Sequence, residues 1–571
     1  MFKSLFRRKT IDRILIDAKK GEGDGHASGL KRVLSVRDLT FFGIAAIIGA
    51  GSFSSLGDAV FRGGPGIVIL FIICGIACAF TAFCYSDFAT RIPVAGSAYT
   101  YAYASFGEIL AWIIGWALLM EYSIGNIYVA FSWSDYFTSF LGKLNIYIPD
   151  FLSCSYREAH QAFLGNVNNA EWLNAWNIAP TLSGLKIIFD LPAVVINILI
   201  TILVYVGVKE SRNFSNVMVV LKLAIVLLVI LVGTYLIFSN GLTNNWQPEN
   251  AVGLASFMPN GFGGVMFAVS GVFFAYIGFD AVSVLAEESK NPQRDLPRGM
   301  IYSLVICTVV YILLSMVLTG AAHYSKFEGI GDPLAFIFEK ENLNIGWMQF
   351  LVSICAVVAM TSVMLVFQMG QPRIWMSMSR DGLLPPAFQK IHHKFKTPSF
   401  ATVVTGLLVG LPLLFTDRKF VLDFTSIGTL FAFVLVCGGV LLIPPKKKVA
   451  GQFNMPQISG KYLFPLIVIA SIITAQLLAN NYFSDLLNID FAADDATFKL
   501  STLIFWIVTF LLAIIAFIKN LLFIPLMGLT TCLYLLTGMS ANNWKWFFIW
   551  FGIGFTVYIF YGFRKSKLSD E

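Results

Sequence analysis

Long apolar runs alternate with short polar segments along most of the chain. A bilayer core about 30 Å thick needs about 20 apolar residues per helix, and runs of that length recur from residue 38 to residue 563. The pattern predicts fourteen spans, numbered 1 to 14 in chain order: 38–60, 66–88, 96–135, 188–207, 214–238, 262–287, 298–321, 346–371, 398–415, 421–444, 461–481, 500–518, 520–537 and 544–563. Span 3 is longer than one crossing needs, and we interpret it as one tilted helix with an extension. Spans 12 and 13 are the least distinct pair, because only Lys519-Asn520 separates them.

The composition agrees with a chain that is mostly embedded in lipid. Hydrophobic residues make up 57% of the 571 residues and charged residues only 13%, whereas a soluble domain carries about 25% charged residues. We therefore predict an all-α polytopic membrane protein and exclude soluble, disordered and collagen-like chains. Seven of the eight cysteines lie in apolar runs, Cys154 being the exception. This distribution indicates small buried side chains, and neither a disulfide framework nor a zinc site is expected.

Basic residues predict the orientation of the spans. With both termini inside, the inner segments hold 29 Lys and Arg residues and the outer loops hold 10. The net charge of +7 is therefore a topology signal, and no nucleic-acid partner is expected. The only glycosylation sequon, at Asn213, falls inside, and the long outer loop 142–187 has none, which favours a bacterial inner membrane.

The same pattern gives the domain organisation. It comprises a basic inner tail at 1–37 with no signal peptide, a first block at 38–238, a second block at 262–444, spans 11–14 at 461–563, and a short inner tail at 564–571. The basic tail is interpreted as either a solvated segment or one that touches anionic lipids. The roles of spans 11–14, the oligomeric state and any accessory subunit are left open.

Two spans have interiors that do not favour a continuous helix. Span 1 carries Gly49-Ala50-Gly51 near mid-membrane, and span 6 carries Gly278 two residues before Asp280. Glycine is also common in membrane helices for close packing, which is the alternative explanation for either position alone. However, spans 1 and 6 begin two blocks of five spans that enter the membrane from opposite sides. Interruptions at corresponding positions of inverted halves indicate a transporter site.

The chemistry of such breaks suggests a class of ligand. Half-helix N-termini present unpaired N–H groups that suit an anion, whereas unwound carbonyls and helix C-termini suit a cation. A site that offers both is suited to an α-amino acid, which carries a carboxylate and an ammonium on one carbon. This inference rests on dipoles alone.

At these residues the sequence resembles the amino acid–polyamine–organocation (APC) superfamily, and within it the cationic amino acid transporter (CAT) branch. The resemblance implies a five-plus-five inverted-repeat, LeuT-like fold and amino acid transport by alternating access. The fourteen spans also fit this branch. The motifs that carry it, in order over roughly 40–445, are 43–53 (GIAAIIGAGSF), 273–281 (FFAYIGFDA), 287–297 (EESKNPQRDLP), 370–373 (GQPR), 379–385 (SRDGLLP) and 426–430 (SIGTL).

The resemblance also implies a binding site at matching positions. The substrate carboxylate is expected at the backbone amides of Gly49, Ala50 and Gly51. The amino group is expected at carbonyls near Ile47, Phe274, Ala275 and Ile277, with Asp280 beside the substrate. The chain departs from the branch in having Ala50 where threonine is usual, and Ser52 and Ser54 where the branch has apolar residues, which bears on side-chain selectivity.

Ionisable residues inside spans are the candidate coupling groups. Lys222 lies eight residues into span 5, and a lysine at mid-helix costs about 2.5–3.5 kcal/mol on insertion scales. It either snorkels to the inner interface or fills the space of a sodium ion between spans 1, 5 and 8 and exchanges a proton. Proton-coupled relatives have a lysine at the matching position, so the resemblance favours the second role and sodium independence. Glu121, central in span 3, is either a structural pair member or a proton-handling or selectivity group.

Other charged residues and other protein classes have weaker support. Glu287, Glu288, Arg294 and Asp295 are interpreted equally as helix-end contacts or as parts of an inner gate.

No catalytic, P-loop or metal motif is present, so neither an enzyme nor a resident cofactor is expected, and a proton gradient is the expected energy source. A channel, a sensor, a sodium-coupled symporter and an uncoupled facilitator or exchanger of cationic amino acids remain alternatives. The expected partners are an amino acid, cationic or small and neutral, and membrane lipids.

Overall fold

The structure is a computed structural model that describes residues 7, 34–49, 51–92, 97–182, 184–207, 212–247, 257–395, 397–444, 449, 451–478, 481–490 and 496–567. Within these residues the protein is almost entirely helical, and its only strands are the short antiparallel pair Thr181–Leu182 and Leu185–Lys186. In this described part of the chain, eight helices are long and apolar enough to cross a membrane, and four more apolar helices have 10–17 residues. The prediction of an all-α polytopic membrane protein is confirmed.

Each predicted span has a helical counterpart, and spans 1, 3 and 6 are each divided into separate helical pieces. The first span ends one helix at Ile47 and resumes as a π-turn, Gly51–Ser55, that leads into a second helix. The helices are Val36–Ile47 with Leu56–Gly63 (span 1), Ile67–Arg91 (span 2), Ser97–Ser105 with Glu108–Lys143 (span 3), Leu191–Val206 (span 4), Arg212–Ser239 (span 5), Gly261–Phe267 and Val269–Phe274 with the 3-10 helix Asp280–Glu288 (span 6), Pro292–Ala321 (span 7), Gly346–Arg380 (span 8), Ser399–Gly410 (span 9), Arg418–Leu442 (span 10), Leu463–Leu478 (span 11), Ala496–Lys519 (span 12), Phe523–Leu536 (span 13) and Ala541–Val557 (span 14).

Span 3 differs from its prediction as one helix. The run divides into Ser97–Ser105 and Glu108–Lys143, because Gly107 adopts a φ of 104° that a right-handed helix cannot contain. The second piece has 36 residues, or about 54 Å of helix, and so extends beyond the bilayer core. Between spans 12 and 13 the chain turns at Asn520 with a φ of 51°, which confirms that they are separate helices.

Four of the five spans of the first block pack on the span at the equal position of the second block, whereas span 5 packs mainly on span 7. Span 1 contacts span 6, span 2 contacts span 7, span 3 contacts span 8 and span 4 contacts span 9. Each contact joins helices at equal positions of the two blocks, as the inverted repeat predicts. This pairing brings the broken helices of spans 1 and 6 together in the interior.

Spans 13 and 14 brace the two blocks from outside. Span 13 packs on spans 2 and 10, and span 14 packs on spans 3 and 10. Trp116 of span 3 stacks on Trp550 of span 14 at 4.9 Å, and each indole N–H donates to the other residue's carbonyl, at 3.0 and 3.2 Å. Spans 11 and 12 pack mainly on each other and expose large apolar side chains, as a surface in contact with lipid does.

Candidate functional site

The break in span 1 is held by its own polar groups and by close neighbours. The Gly49 carbonyl accepts hydrogen bonds from the Ser52 and Phe53 amides at 3.1 Å and from the Ser52 hydroxyl at 3.0 Å. A Cβ added to Gly51 would lie 2.5 Å from the Cα of Ala275, and one added to Gly49 would lie 2.6 Å from Val363 of span 8. Both glycines are therefore needed for the break to fit between spans 6 and 8. Ala50 lies outside the described residues.

The break in span 6 follows Phe274 and ends at Asp280. The Tyr276 amide donates to the Phe273 carbonyl at 2.9 Å, and the Ile277 amide donates to the Phe274 carbonyl at 3.1 Å. Gly278 has a φ of +114°, and a Cβ there would lie 3.0 Å from backbone atoms of Ala46. The predicted contacts Phe274, Ala275 and Ile277 are all buried in this turn, directly beside span 1.

The Ile47 carbonyl has a partner that the sequence did not indicate. The hydroxyl of Tyr311, in span 7, donates to this carbonyl at 2.8 Å. Tyr311 is fully buried. The only sequence signal for its role is a polar hydroxyl within a mostly apolar run. One carbonyl predicted for the substrate amino group is thus already oriented by a neighbouring helix.

Lys222 is buried beside the same break. Only 3% of the residue is exposed, and its ammonium donates to the Ser362 hydroxyl of span 8 at 2.7 Å. Val363, the next residue in span 8, is the side chain that lies against Gly49. Lys222 therefore points into the protein between spans 5, 8 and 1 and does not snorkel to the inner surface.

Glu121 and Asp280 are near each other in the interior. Glu121 is 3% exposed and lies close enough to Asp280 to interact electrostatically. Its Oε2 atom has no hydrogen-bond partner among the described residues. Asp280 is 2% exposed and begins the 3-10 helix that follows the break. Of the two, Glu121 is the carboxyl with an oxygen still available for a proton or a ligand.

Two tyrosines of span 3 pack against the two breaks. Tyr128 donates to the Ser54 hydroxyl at 3.1 Å, and its ring meets Phe274 edge-on at 4.6 Å. Tyr136 donates to the Phe53 carbonyl at 2.5 Å. The sequence did not single out these tyrosines, because their role depends on how span 3 packs across span 1.

Ion pairs lie on either side of the two breaks. Arg62 pairs with Asp58 at 2.9 Å and lies 3.8 Å from Asp423 of span 10, joining the outer ends of spans 1 and 10. On the predicted inner side Arg294 pairs with its neighbour Asp295 at 2.9 Å, a local helix-end contact. The side chains of Glu287 and Glu288 lie outside the described residues.

The fold and the paired breaks define a polytopic membrane transporter of the inverted-repeat class. The family model for amino acid permeases matches residues 34–490, and the model for the C-terminus of such permeases matches residues 522–566. The chain therefore belongs to the amino acid permease family.

Curated relatives agree with this assignment. The branched-chain amino acid permease BcaP of Bacillus subtilis is 41% identical over 78% of this chain and 86% of its own length. The methylthioribose transporter of Bacillus subtilis is 38% identical over 83% and 91%, and the vacuolar cationic amino acid transporter 2 of Arabidopsis thaliana is 35% identical over 78% and 64%. A solved structure, MhsT in complex with L-phenylalanine, is 14% identical with a TM-score of 0.48 and covers 72% of this chain and 89% of that one. The permease family models and the curated permease and cationic amino acid transporter relatives confirm the CAT-like resemblance.

Proposed function

We propose that this protein is a secondary active transporter that moves L-amino acids across the cytoplasmic membrane by alternating access, coupled to protons and independent of sodium. The carboxylate binds at the amides of the span 1 break around Gly49 and Gly51. The ammonium binds at the carbonyls of the facing breaks, near Ile47 and Phe274. No cofactor takes part in this cycle, both termini face the cytoplasm, and a bacterial inner membrane is the proposed location.

The observation that carries the coupling proposal is the position of Lys222. Its ammonium is buried at 2.7 Å from Ser362, in the space between spans 5, 8 and 1. The positive charge of the protonated lysine repels a sodium ion. The bond between the lysine and Ser362 replaces the contact that a sodium ion would make with span 8. A buried lysine can also release and regain a proton, which gives the cycle a coupled ion.

The substrate is proposed as a neutral amino acid. The side chains that surround the breaks are mainly apolar, with Val363 against Gly49 and the Tyr128 ring against Phe274. The relative of 41% identity is named for branched-chain amino acids. A cationic substrate is the second candidate, because Glu121 keeps an unpartnered carboxylate oxygen near Asp280 and several relatives are named for cationic amino acids.

Radiolabelled uptake into proteoliposomes tests both points. Leucine, alanine, arginine and methylthioribose are compared under an inward proton gradient, with and without sodium and with a protonophore. We expect leucine or alanine to accumulate without sodium and to lose accumulation with the protonophore. Sodium-dependent accumulation would contradict the coupling proposal, and arginine equilibration without concentration would indicate a facilitator or exchanger. Uptake of methylthioribose alone would contradict amino acid transport itself.

A further inference from the structure

Three aromatic side chains form a cluster behind the two breaks. Phe71 of span 2, Tyr276 of span 6 and Tyr311 of span 7 have ring centroids 5.6 to 6.2 Å apart. All three residues are fully buried. The cluster therefore joins the span 6 turn to spans 2 and 7 at the level of the site.

The two tyrosine hydroxyls in this cluster make the same kind of bond to different carbonyls. Tyr276 donates to the Phe71 carbonyl at 2.8 Å, and Tyr311 donates to the Ile47 carbonyl at 2.8 Å. Phe71 lies inside the regular helix Ile67–Arg91, where a carbonyl already receives a backbone N–H. Ile47 is the last residue of its helix, where the regular i+4 partner is lost. Only the Tyr311 bond acts on a carbonyl of the break.

Because of this difference, the Tyr311 hydroxyl can fix the direction of the Ile47 carbonyl. A buried carbonyl that lacks a partner is destabilising and tends to turn towards any donor nearby. A carbonyl oxygen has two lone pairs, so one donor can fix its direction while the second lone pair stays available. Tyr311 can thus hold the Ile47 carbonyl in place both before and after a charged donor arrives.

We propose that Tyr311 is a positioning residue for the substrate ammonium. Its hydroxyl holds the Ile47 carbonyl so that the second lone pair of that oxygen receives an N–H of the ammonium. Tyr311 acts on the substrate through the Ile47 carbonyl and does not contact the substrate side chain. This inference rests on the proposed function, because it takes the bound group to be the ammonium of an amino acid.

The test compares Tyr311→Phe with the matched variant Tyr276→Phe. Each substitution removes one fully buried hydroxyl from the same cluster and keeps the ring, so the two lose similar packing and hydrogen bonding. We expect Tyr311→Phe to raise the KM for amino acid uptake about tenfold with little change in kcat, equivalent to about 1.4 kcal/mol of binding. In Tyr276→Phe, which lies in the span 6 break but whose hydroxyl donates to a carbonyl outside it, the KM is expected to rise less than in Tyr311→Phe.

A pair of inhibitors separates an ammonium effect from general damage. Inhibition of uptake is measured with L-leucine and with 2-hydroxy-4-methylpentanoate, which has the same skeleton with a hydroxyl in place of the ammonium. Where wild-type uptake selects alanine, the pair is alanine and lactate. Tyr311→Phe is expected to weaken inhibition by the amino acid more than inhibition by the hydroxy acid.

The outcomes distinguish the inference from the function on which it rests. Equal weakening of both inhibitors, an unchanged KM, or an equal KM rise in Tyr276→Phe would overturn the role of Tyr311 while leaving amino acid transport in place. Loss of kcat alone would also overturn it. A wild-type protein that takes up none of the amino acids overturns both. Circular dichroism and thermal unfolding of the two variants check that each is folded.

Discussion

Gly278 of span 6 lies directly against the backbone of Ala46 in span 1. A Cβ on Gly278 would come within 3.0 Å of the Ala46 carbonyl carbon and oxygen, and the φ of Gly278 is +114°. The two broken helices therefore touch at the point where each loses its regular hydrogen bonds. The contact is possible only because one partner has no side chain.

Replacing Gly278 with alanine is expected to reduce uptake by about tenfold or more, because strain in this φ region costs about 1–3 kcal/mol and the turn must move away from span 1. Initial uptake rates into proteoliposomes measure the effect. Gly263→Ala is the matched control, since it also lies in span 6 but a Cβ there has nothing within 4 Å. Comparable uptake by the two variants would show that the contact between the breaks is dispensable.

Glu108, at the start of the long helix of span 3, connects the end of the chain to the core. Its carboxylate accepts hydrogen bonds from Tyr558 at 3.0 Å, from Tyr103 at 3.3 Å and from Ser566. Glu108→Ala leaves these buried hydroxyls without their acceptor, at about 1–3 kcal/mol for each unsatisfied group. We expect a lower apparent Tm by several degrees and an unchanged KM.

Thermal unfolding and uptake, measured on the same preparation, check this separation of stability from binding. Glu328→Ala, which removes an exposed glutamate of an outer loop, is the control and should leave the Tm unchanged. A changed KM with an unchanged Tm in Glu108→Ala would mean that the inner end of span 3 acts on the site and not on the fold.

Much of this architecture follows from simple physical limits. Bilayer thickness sets the length of each apolar run, so hydropathy alone predicted an all-α polytopic chain, in whose described residues eight helices are long enough to cross a membrane. The Gly49-Ala50-Gly51 and Gly278 interruptions predicted the breaks, because glycine lowers the cost of leaving the helix. Gly107 divides span 3 for the same reason, but the predicted span 96–135 runs through it as one helix.

Residues whose roles depend on packing could not be predicted in this way. Tyr311 is 264 positions from Ile47, and its hydroxyl meets that carbonyl only after spans 1 and 7 pack together. Tyr128 likewise resembles any aromatic residue of a buried helix until span 3 crosses the breaks. Lys222 was predictable because a charge in a span is costly, whereas the identity of its partner Ser362 required the structure. The roles predicted for Gly49, Gly51, Glu121 and Asp280 stay predictions.

An acidic residue in the outer loop between spans 7 and 8 should make stability depend on pH. Burial, together with the nearby carboxylates of Glu339 and Asp135, raises the pKa of Asp332 to about 8 from a usual value of 3.8. The folded state therefore binds a proton that the unfolded state releases between about pH 4 and pH 8, and stability falls as the pH rises through that window.

We expect the apparent Tm of the wild type to be higher at pH 5 than at pH 8, and Asp332→Asn to raise the Tm at pH 8 by about 2–4 °C. The variant should also show a flatter dependence of Tm on pH. Glu341→Gln removes an exposed carboxylate of the same loop and serves as the control. A Tm at pH 8 that falls in Asp332→Asn would mean that the ionised carboxylate is a favourable part of the fold.

The lysine of span 5 gives the sharpest test of coupling. Lys222→Ala removes the ammonium that lies 2.7 Å from Ser362, so the coupled proton loses its carrier and the space beside span 1 loses its positive charge. We expect accumulation driven by a proton gradient to be abolished, while exchange of labelled for unlabelled substrate persists at a reduced rate. Ser362→Ala keeps the lysine and removes only its hydroxyl partner, and it should retain accumulation with a reduction of about tenfold or less. Accumulation driven by a proton gradient at the wild-type level in Lys222→Ala would contradict the proposal, because the lysine would then not carry the coupled proton.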